Sequence, residues 1–468
     1  MPHWTPPVPV SCASQPHSFA YESTKTRWPK ILTGVVDELS KLNSALSRDS
    51  TAEGQAKLAE GKRVIERLSG LIYEIKTDKP LRPLADTGFP HDHAAYNAEL
   101  AQLGDRQCAT WFTAPWLFAE CYLYRTLRGV FSETTHWTAF DPFAAQKLAT
   151  WRSSAASVVE LATTLNKLVA RGQVDNDQEL HRDWRVMMET MLWGNATDLS
   201  LLTSLTHEQI QQLQSVERGK EFLLRDDLDA AWDHVRTLRD ERFDIVLDNS
   251  GFELFTDLVL ADFLVTLTPF CSHVVIHPKL IPWFVSDVQP HDFEILLSTL
   301  ADRAFFPDLA TRDFDQLAAL VERWRSYVAS GKFKLSVPPS LKMGDDANGD
   351  DQVRLAEFWT SPSPFSDLPV VAPELLQELQ RSKLVIFKGD LNYRKLVSDA
   401  WWDPASSFHD ALGPLRGEIS LLSLRTLKAD TVVGLPQGKA EQLDATDPDW
   451  RVSGKYAVVS FSPRRATD

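Results

Sequence analysis

Cysteine is scarce in this chain of 468 residues. Cys12, Cys108, Cys121 and Cys271 are scattered, with no Cys-x-x-Cys pair and no dense framework. A disulfide scaffold is therefore excluded and a zinc–thiolate site is not expected; a reducing compartment is the simplest setting. No run of 18 apolar residues occurs, so no membrane span is expected. Met1 to Pro9 lacks a long apolar stretch, and no secretory leader is expected. Positive charge is also short. Lys and Arg total 49 against 64 Asp and Glu, a formal charge of −15. A nucleic-acid partner, which needs a basic face, is not expected. There is no internal repeat and no glycine-rich cofactor loop.

What is present suits a globular protein: 43% hydrophobic and 24% charged residues, with 24 Phe and 15 Trp to fill a core. The length allows two domains or one large one. Residues 1–25 are rich in Pro and Ser and read as an extended surface segment. Residues 26–238 read as mainly helical. Ile31, Val35, Val36, Leu39, Leu42 and Leu46 recur at helical spacing, as do Val158, Val159, Leu161, Leu165, Leu168 and Val169 within a helix expected over 142–171. Thr206-His-Glu-Gln209 has the form of a capping box. Nothing before about residue 240 looks strongly like a strand.

From 239 to 468 the texture changes. Apolar, strand-like runs appear at Ile245–Leu247, Val274–His277, Leu384–Phe387, Leu421–Leu424 and Tyr456–Phe461. Helical patterns lie between several of them, notably Glu253–Leu267, His291–Ala301 and Phe314–Ser330. That alternation predicts an α/β fold: an N-terminal helical domain joined to a Rossmann-like α/β/α sandwich with a mostly parallel sheet. Residues 342–352, dense in Gly, Asp and Asn, read as a mobile insertion.

Four strand-like runs lead into polar residues. Asp248-Asn249-Ser250-Gly251 follows the first. A carboxylate and an amide at a strand end are hard oxygen ligands suited to Mg²⁺ or Mn²⁺; a turn or helix N-cap would use the same residues. Asp287 ends a Pro-rich loop after the second run, where it either returns to the same sheet edge or caps the next helix. Lys388-Gly-Asp-Leu-Asn-Tyr-Arg394 follows the third, offering phosphate ligands in Lys388 and Arg394 and close backbone approach at Gly389. Arg425-Thr-Leu-Lys428 follows the fourth. His273 and His277 flank an apolar strand and read as structural.

Taken together, Asp248-Asn249-Ser-Gly-Phe-Glu253, Trp283-Phe-Val-Ser-Asp287, Lys388-Gly-Asp-Leu-Asn-Tyr-Arg394 and Arg425-Thr-Leu-Lys428 resemble the damage-control phosphatases, specifically the sugar-phosphate subfamily marked by an Arg-Thr-x-Lys motif near the C-terminus. Trp193-Gly-Asn-Ala-Thr-Asp-Leu-Ser200 adds to the likeness. The resemblance implies a divalent metal (Mn²⁺, Co²⁺, Mg²⁺ or Ni²⁺) on Asp248, Asn249 and Asp287, which are also the expected catalytic residues. It implies substrate contacts from Asp248, Asn249, Glu253, Asp390, Leu391, Asn392, Tyr393, Arg394 and Lys428, to which the strand-end position adds Lys388. The implied activity is hydrolysis of phosphate monoesters such as fructose 1-phosphate and fructose 6-phosphate. The alternative is an S-adenosylmethionine-dependent protein carboxyl O-methyltransferase.

In the phosphatase reading, Ser250, Gly251 and the following helix N-terminus offer N–H groups to the anion. Asp248 either holds a metal that orients water or attacks phosphorus itself. The residue two after it is Ser250, not Asp, so metal-activated water is the favoured route. The expected partner is a small phosphorylated molecule. The expected location is the cytoplasm, with the nucleus left open; the sequence sets no oligomeric state.

Overall fold

The computed structural model describes residues 4–194, 221–345 and 349–465. The capping-box stretch Thr206–Gln209, most of the Trp193–Ser200 motif, and Asp346–Asn348 of the expected insertion lie outside these residues. Helices come first: α1 (Phe19–Glu22), α2 (Trp28–Leu46), α3 (Ala52–Lys76), α4 (His93–Asp105), α5 (Trp116–Ser132), α6 (Ala144–Ser153), α7 (Ala155–Arg171) and α8 (Asp177–Trp193). A π-helical turn, Ser23–Arg27, joins α1 to α2. Then follow β1 (Leu223–Asp226), α9 (Leu228–Val235), β2 (Glu241–Val246), α10 (Phe252–Leu267), β3 (Cys271–His277), α11 (Pro290–Leu300), α12 (Thr311–Ser330) and β4 (Phe333–Leu335). The last stretch supplies β5 (Leu384–Lys388), α13 (Gly389–Leu396), β6 (Leu421–Thr426) and β7 (Ala457–Ser462).

The seven strands form one sheet in the order β1-β7-β6-β5-β2-β3-β4. Every neighbouring pair is parallel except β6 and β7. The fold is therefore α/β with a mostly parallel sheet, as the alternation of runs predicts. Strand side chains alternate between two apolar layers. Phe243, Ile245, Ile386, Leu422 and Val459 join a cluster with α7, α8, α10, α11 and α12. Val246, Val385, Phe387, Leu421 and Val458 join another with α2 to α5. The helical first part thus covers both faces of the sheet.

Three expectations are corrected. A strand does precede residue 240: β1, four residues long and half exposed, is too short and polar to show an apolar pattern. The helix expected over 142–171 is two helices divided at Ser154, whose hydroxyl donates to the Trp151 carbonyl (2.7 Å) and closes the first of them. Residues 1–25 are not simply extended over the surface. Val10 pairs with Ala400, Cys12 pairs with Pro115, and α1 forms with Ser18 as its cap. In the 342–352 stretch, Asp350 caps a helix starting at Asp351.

The sheet's strand order reverses between β2 and β5. From β2 the chain winds outward through β3 and β4, then returns to place β5 on the other side. Such a switch point leaves a crevice beyond the strands' carboxyl ends, where α/β folds bind ligands. Asp248 and Gly389 follow the two strands that flank it.

Candidate active site

The loop after β3 folds back onto the end of β2. Ser250 N–H donates to the Ser286 carbonyl (2.7 Å), Val288 N–H donates to the Asp248 carbonyl (2.8 Å), and Asn249 and Asp287 form a β-bridge. The return is strained: Phe284 and the β-branched Val285 hold φ of +43° and +74°, conformations L-residues seldom adopt. These bonds bring Asp248, Asn249 and Asp287 together.

Asn249 Nδ2 donates to Asp248 Oδ2 (2.9 Å) and to Glu253 Oε2 (2.8 Å), while its Oδ1 accepts from the Ser286 hydroxyl. The amide nitrogen therefore faces the carboxylates. Asp287 is buried, and its Oδ2 has no hydrogen-bond partner among the described residues; the Lys279 ammonium lies 4.0 Å away. Burial pushes Asp248 well above the ordinary carboxylate range, with Glu253 and Asp287 adding repulsion. Burial pushes Asp287 up to about 7, against the pull of Lys279. Crowded carboxylates with a buried, orphaned oxygen are a donor set that a hard divalent cation fits. The described residues hold no cluster of three His, Cys, Asp or Glu side chains arranged for a metal; here the third oxygen belongs to an amide.

Asp248, Asn249, Glu253, Asp287, Asp390, Leu391, Arg394 and Lys428 all line a single cleft of about 600 Å³. Lys388, Asn392 and Tyr393 do not line it. Lys388 lies behind the wall, its ammonium on Glu253 Oε1 and Asp257 Oδ1 (both 2.8 Å). Asn392 donates to the carbonyls of Leu247 (3.0 Å) and Lys388 (2.7 Å) and accepts from Lys279 (3.0 Å). It ties β2, β5 and the loop after β3 together. Tyr393 stacks under the Arg425 guanidinium (4.3 Å) and accepts from Val433 N–H (3.0 Å). These three are buried because α13 starts directly at β5 and turns that face inward.

Ser250 N–H is already bonded to Ser286, so it is not offered to an anion. Asp390 faces the cleft and accepts from Arg425 (2.7 Å) and from Lys428 N–H (3.0 Å). That contact places the Lys428 loop over the switch point. His277 bonds Asp244 (2.9 Å) away from the cleft and is structural.

Sequence reasoning missed one wall of the cleft: Gln146, Lys147, Thr150 and Ser153 of α6 and Ser154 at the break after it, with Phe19 and Arg27. Lys147 is buried between Asp292 (2.8 Å) and Asp141 (2.9 Å). Lys147 one turn before Trp151, the two being the buried residues of α6, was the one available signal.

With this geometry in view, comparison with known proteins defines the class. A family model described as "Damage-control phosphatase ARMT1-like domain" matches residues 23–443. The chain belongs to this family of damage-control phosphatases, and it is accordingly a phosphatase. Relatives named "Damage-control phosphatase ARMT1" include one from Danio rerio, 36% identical over 459 residues and covering 95% of each chain. Another, from Homo sapiens, is 34% identical over 467 residues, covering 97% of this chain and 98% of its own. A solved structure of a DUF89 family protein from Pyrococcus horikoshii aligns over 92% of this chain and 98% of its own, at 14% identity and a TM-score of 0.39. The methyltransferase alternative finds no support in these matches. No helix among the described residues is long and apolar enough to cross a membrane.

Proposed function

We propose that the cleft hydrolyses phosphate monoesters of small metabolites, sugar phosphates such as fructose 1-phosphate and fructose 6-phosphate among them, with a divalent cation held by Asp248, Asn249 and Asp287. Mn²⁺, Co²⁺, Mg²⁺ and Ni²⁺ all suit oxygen donors to differing degrees. The observation that carries this reading is the union of the two loops. The bridge between Asn249 and Asp287 gathers two carboxylates and an amide at one end of a cleft that also holds Arg394 and Lys428.

When bound, such a cation supplies Lewis-acid polarisation of a phosphoryl oxygen and of water. The protein's own groups do the rest, since phosphoryl transfer depends mainly on positioning and charge neutralisation. Lys428 and Arg394 bind the remaining phosphate oxygens. Glu253, fixed by Lys388 and Asn249, faces the substrate's hydroxyl groups. Asp248 orients the attacking water. Phe284 and Leu391 add apolar surface to the cleft lining.

Replacing Asp248 with Ala tests this. Metal-dependent release of phosphate from fructose 1-phosphate should fall by about 10²-fold or more, the scale seen when a group stabilising transition-state charge is lost. Undiminished release would remove Asp248 from the reaction.

A further inference from the structure

The substrate contacts named so far all come from the C-terminal half, yet one side of the cleft is closed by the N-terminal segment. That segment is strapped across the C-terminal half by defined bonds. Trp4 N–H donates to Asp367 (2.9 Å), Ser11 N–H to the Asp399 carbonyl (2.9 Å), and Phe19 N–H to Asp430 (2.8 Å). The Pro9 carbonyl accepts from Trp401 N–H (2.8 Å). It ends in the π-helical turn Ser23–Arg27, a wider, under-wound turn of a kind that recurs at functional sites. Phe19 and Arg27 then enter the cleft wall.

Arg27 meets Arg394 there across one carboxylate. Arg27 Nη2 bonds Glu120 Oε1, and Arg394 Nη1 bonds Glu120 Oε2 (2.7 Å). Both guanidinium groups also sit against rings, Arg394 over Trp116 at 3.8 Å and Arg27 over Phe19 at 5.6 Å. The Nε atoms of both are buried with no hydrogen-bond partner among the described residues. Arg394 is almost fully buried, whereas the Arg27 side chain keeps 42% of its exposure. Glu120 already receives Arg394 and the Trp28 indole N–H (3.0 Å), so it does not require Arg27. Only the Arg27 end of this pair reaches solvent, since Glu120 itself is fully buried. The two planar cations are held in place by the shared carboxylate and, for Arg394, also by Asp399 (2.9 Å), and guanidinium groups fixed in this way at a cleft wall are preorganised for a phosphate.

We propose that Arg27 is a substrate-binding residue. With Arg394 and Lys428 it grips the phosphate dianion of the substrate, and the N-terminal segment thereby supplies part of the anion site. This rests on the phosphatase reading for its substrate class but not for its anion chemistry.

The test uses Arg27→Gln and Arg27→Lys in the full chain. Inorganic phosphate should raise the Tm of the wild type in the absence of substrate, and Arg27→Gln should lose most of that rise while folding normally. With fructose 1-phosphate and Mn²⁺, Arg27→Gln should raise KM about 10- to 100-fold, the worth of one charged hydrogen bond. Its kcat should stay within about threefold, and Arg27→Lys should recover part of the KM. A phosphate-induced rise in Tm equal to the wild type's in Arg27→Gln would overturn the proposal, as would a fall in kcat with KM unchanged. If the wild type releases no phosphate, the phosphatase reading fails. The Tm comparison still decides the role of Arg27.

Discussion

Gly389 sets how closely the two strand ends at the switch point can approach. It holds φ of +84°, and a Cβ there would lie 1.9 Å from Asp248 Oδ2. An alanine would thus be strained in backbone and would displace the carboxylate itself. Gly389→Ala should lose about 1 kcal/mol or more of stability, read by denaturant unfolding, and nearly all metal-dependent activity. The carboxylates behind it carry a second prediction. Burial lifts Asp257 to about 7 despite Lys388, and Asp287 to about 7 despite Lys279. The ordinary value is 3.8, so between these limits the folded, metal-free protein holds more protons than the unfolded chain. The stability from Asp287 is complete below about 3.8 and lost as pH rises through about 7. Compared with Asp287→Asn, so that other titrations cancel, the metal-free wild type should lose stability as pH rises across this window. Saturating Mn²⁺ should flatten that difference, because a cation favours the ionised form.

Elements differ in how plainly the sequence announces them. The strands β2, β3, β5 and β6 are buried on both faces and read as short apolar runs. The bond between the end of β2 and the loop after β3 is long-range, and only Asp287's place after a strand hinted at it. Lys388, Asn392 and Tyr393 show the opposite case. Polar residues after a buried strand look available, but α13 begins without an intervening loop and folds them under. Helix α10 is buried along almost its whole length because it lies between the sheet and the helices α7, α8 and α12. Phe255, on its first turns, packs against Trp151 (6.0 Å) and Trp324 (5.6 Å). Phe255→Ala should cost about 3–5 kcal/mol in chemical denaturation, as large-to-small changes in a packed aromatic core do. A smaller loss would mean that the helices repack around the gap.

For the molecule as a whole, a formal charge of −15 coexists with a cleft carrying Lys147, Arg27, Arg394 and Lys428. Net charge argues against a nucleic-acid partner, yet it does not reveal that four cationic side chains line one cleft. The C-terminal part of that cleft was legible because its lining residues follow strands in order. Its N-terminal wall was not, since Phe19, Arg27, Ser153 and Ser154 reach it only through tertiary packing. The central claim is that Asp248, Asn249 and Asp287 hold a divalent cation that phosphate release requires. The most direct measurement is phosphate release from fructose 1-phosphate by wild type and Asp287→Ala, each stripped of metal and then titrated with Mn²⁺. The account predicts that wild-type release appears only with Mn²⁺, and that the variant stays at least about 10²-fold slower at saturating metal. Release from the stripped wild type at full rate, or equal rates in the two proteins, would contradict it.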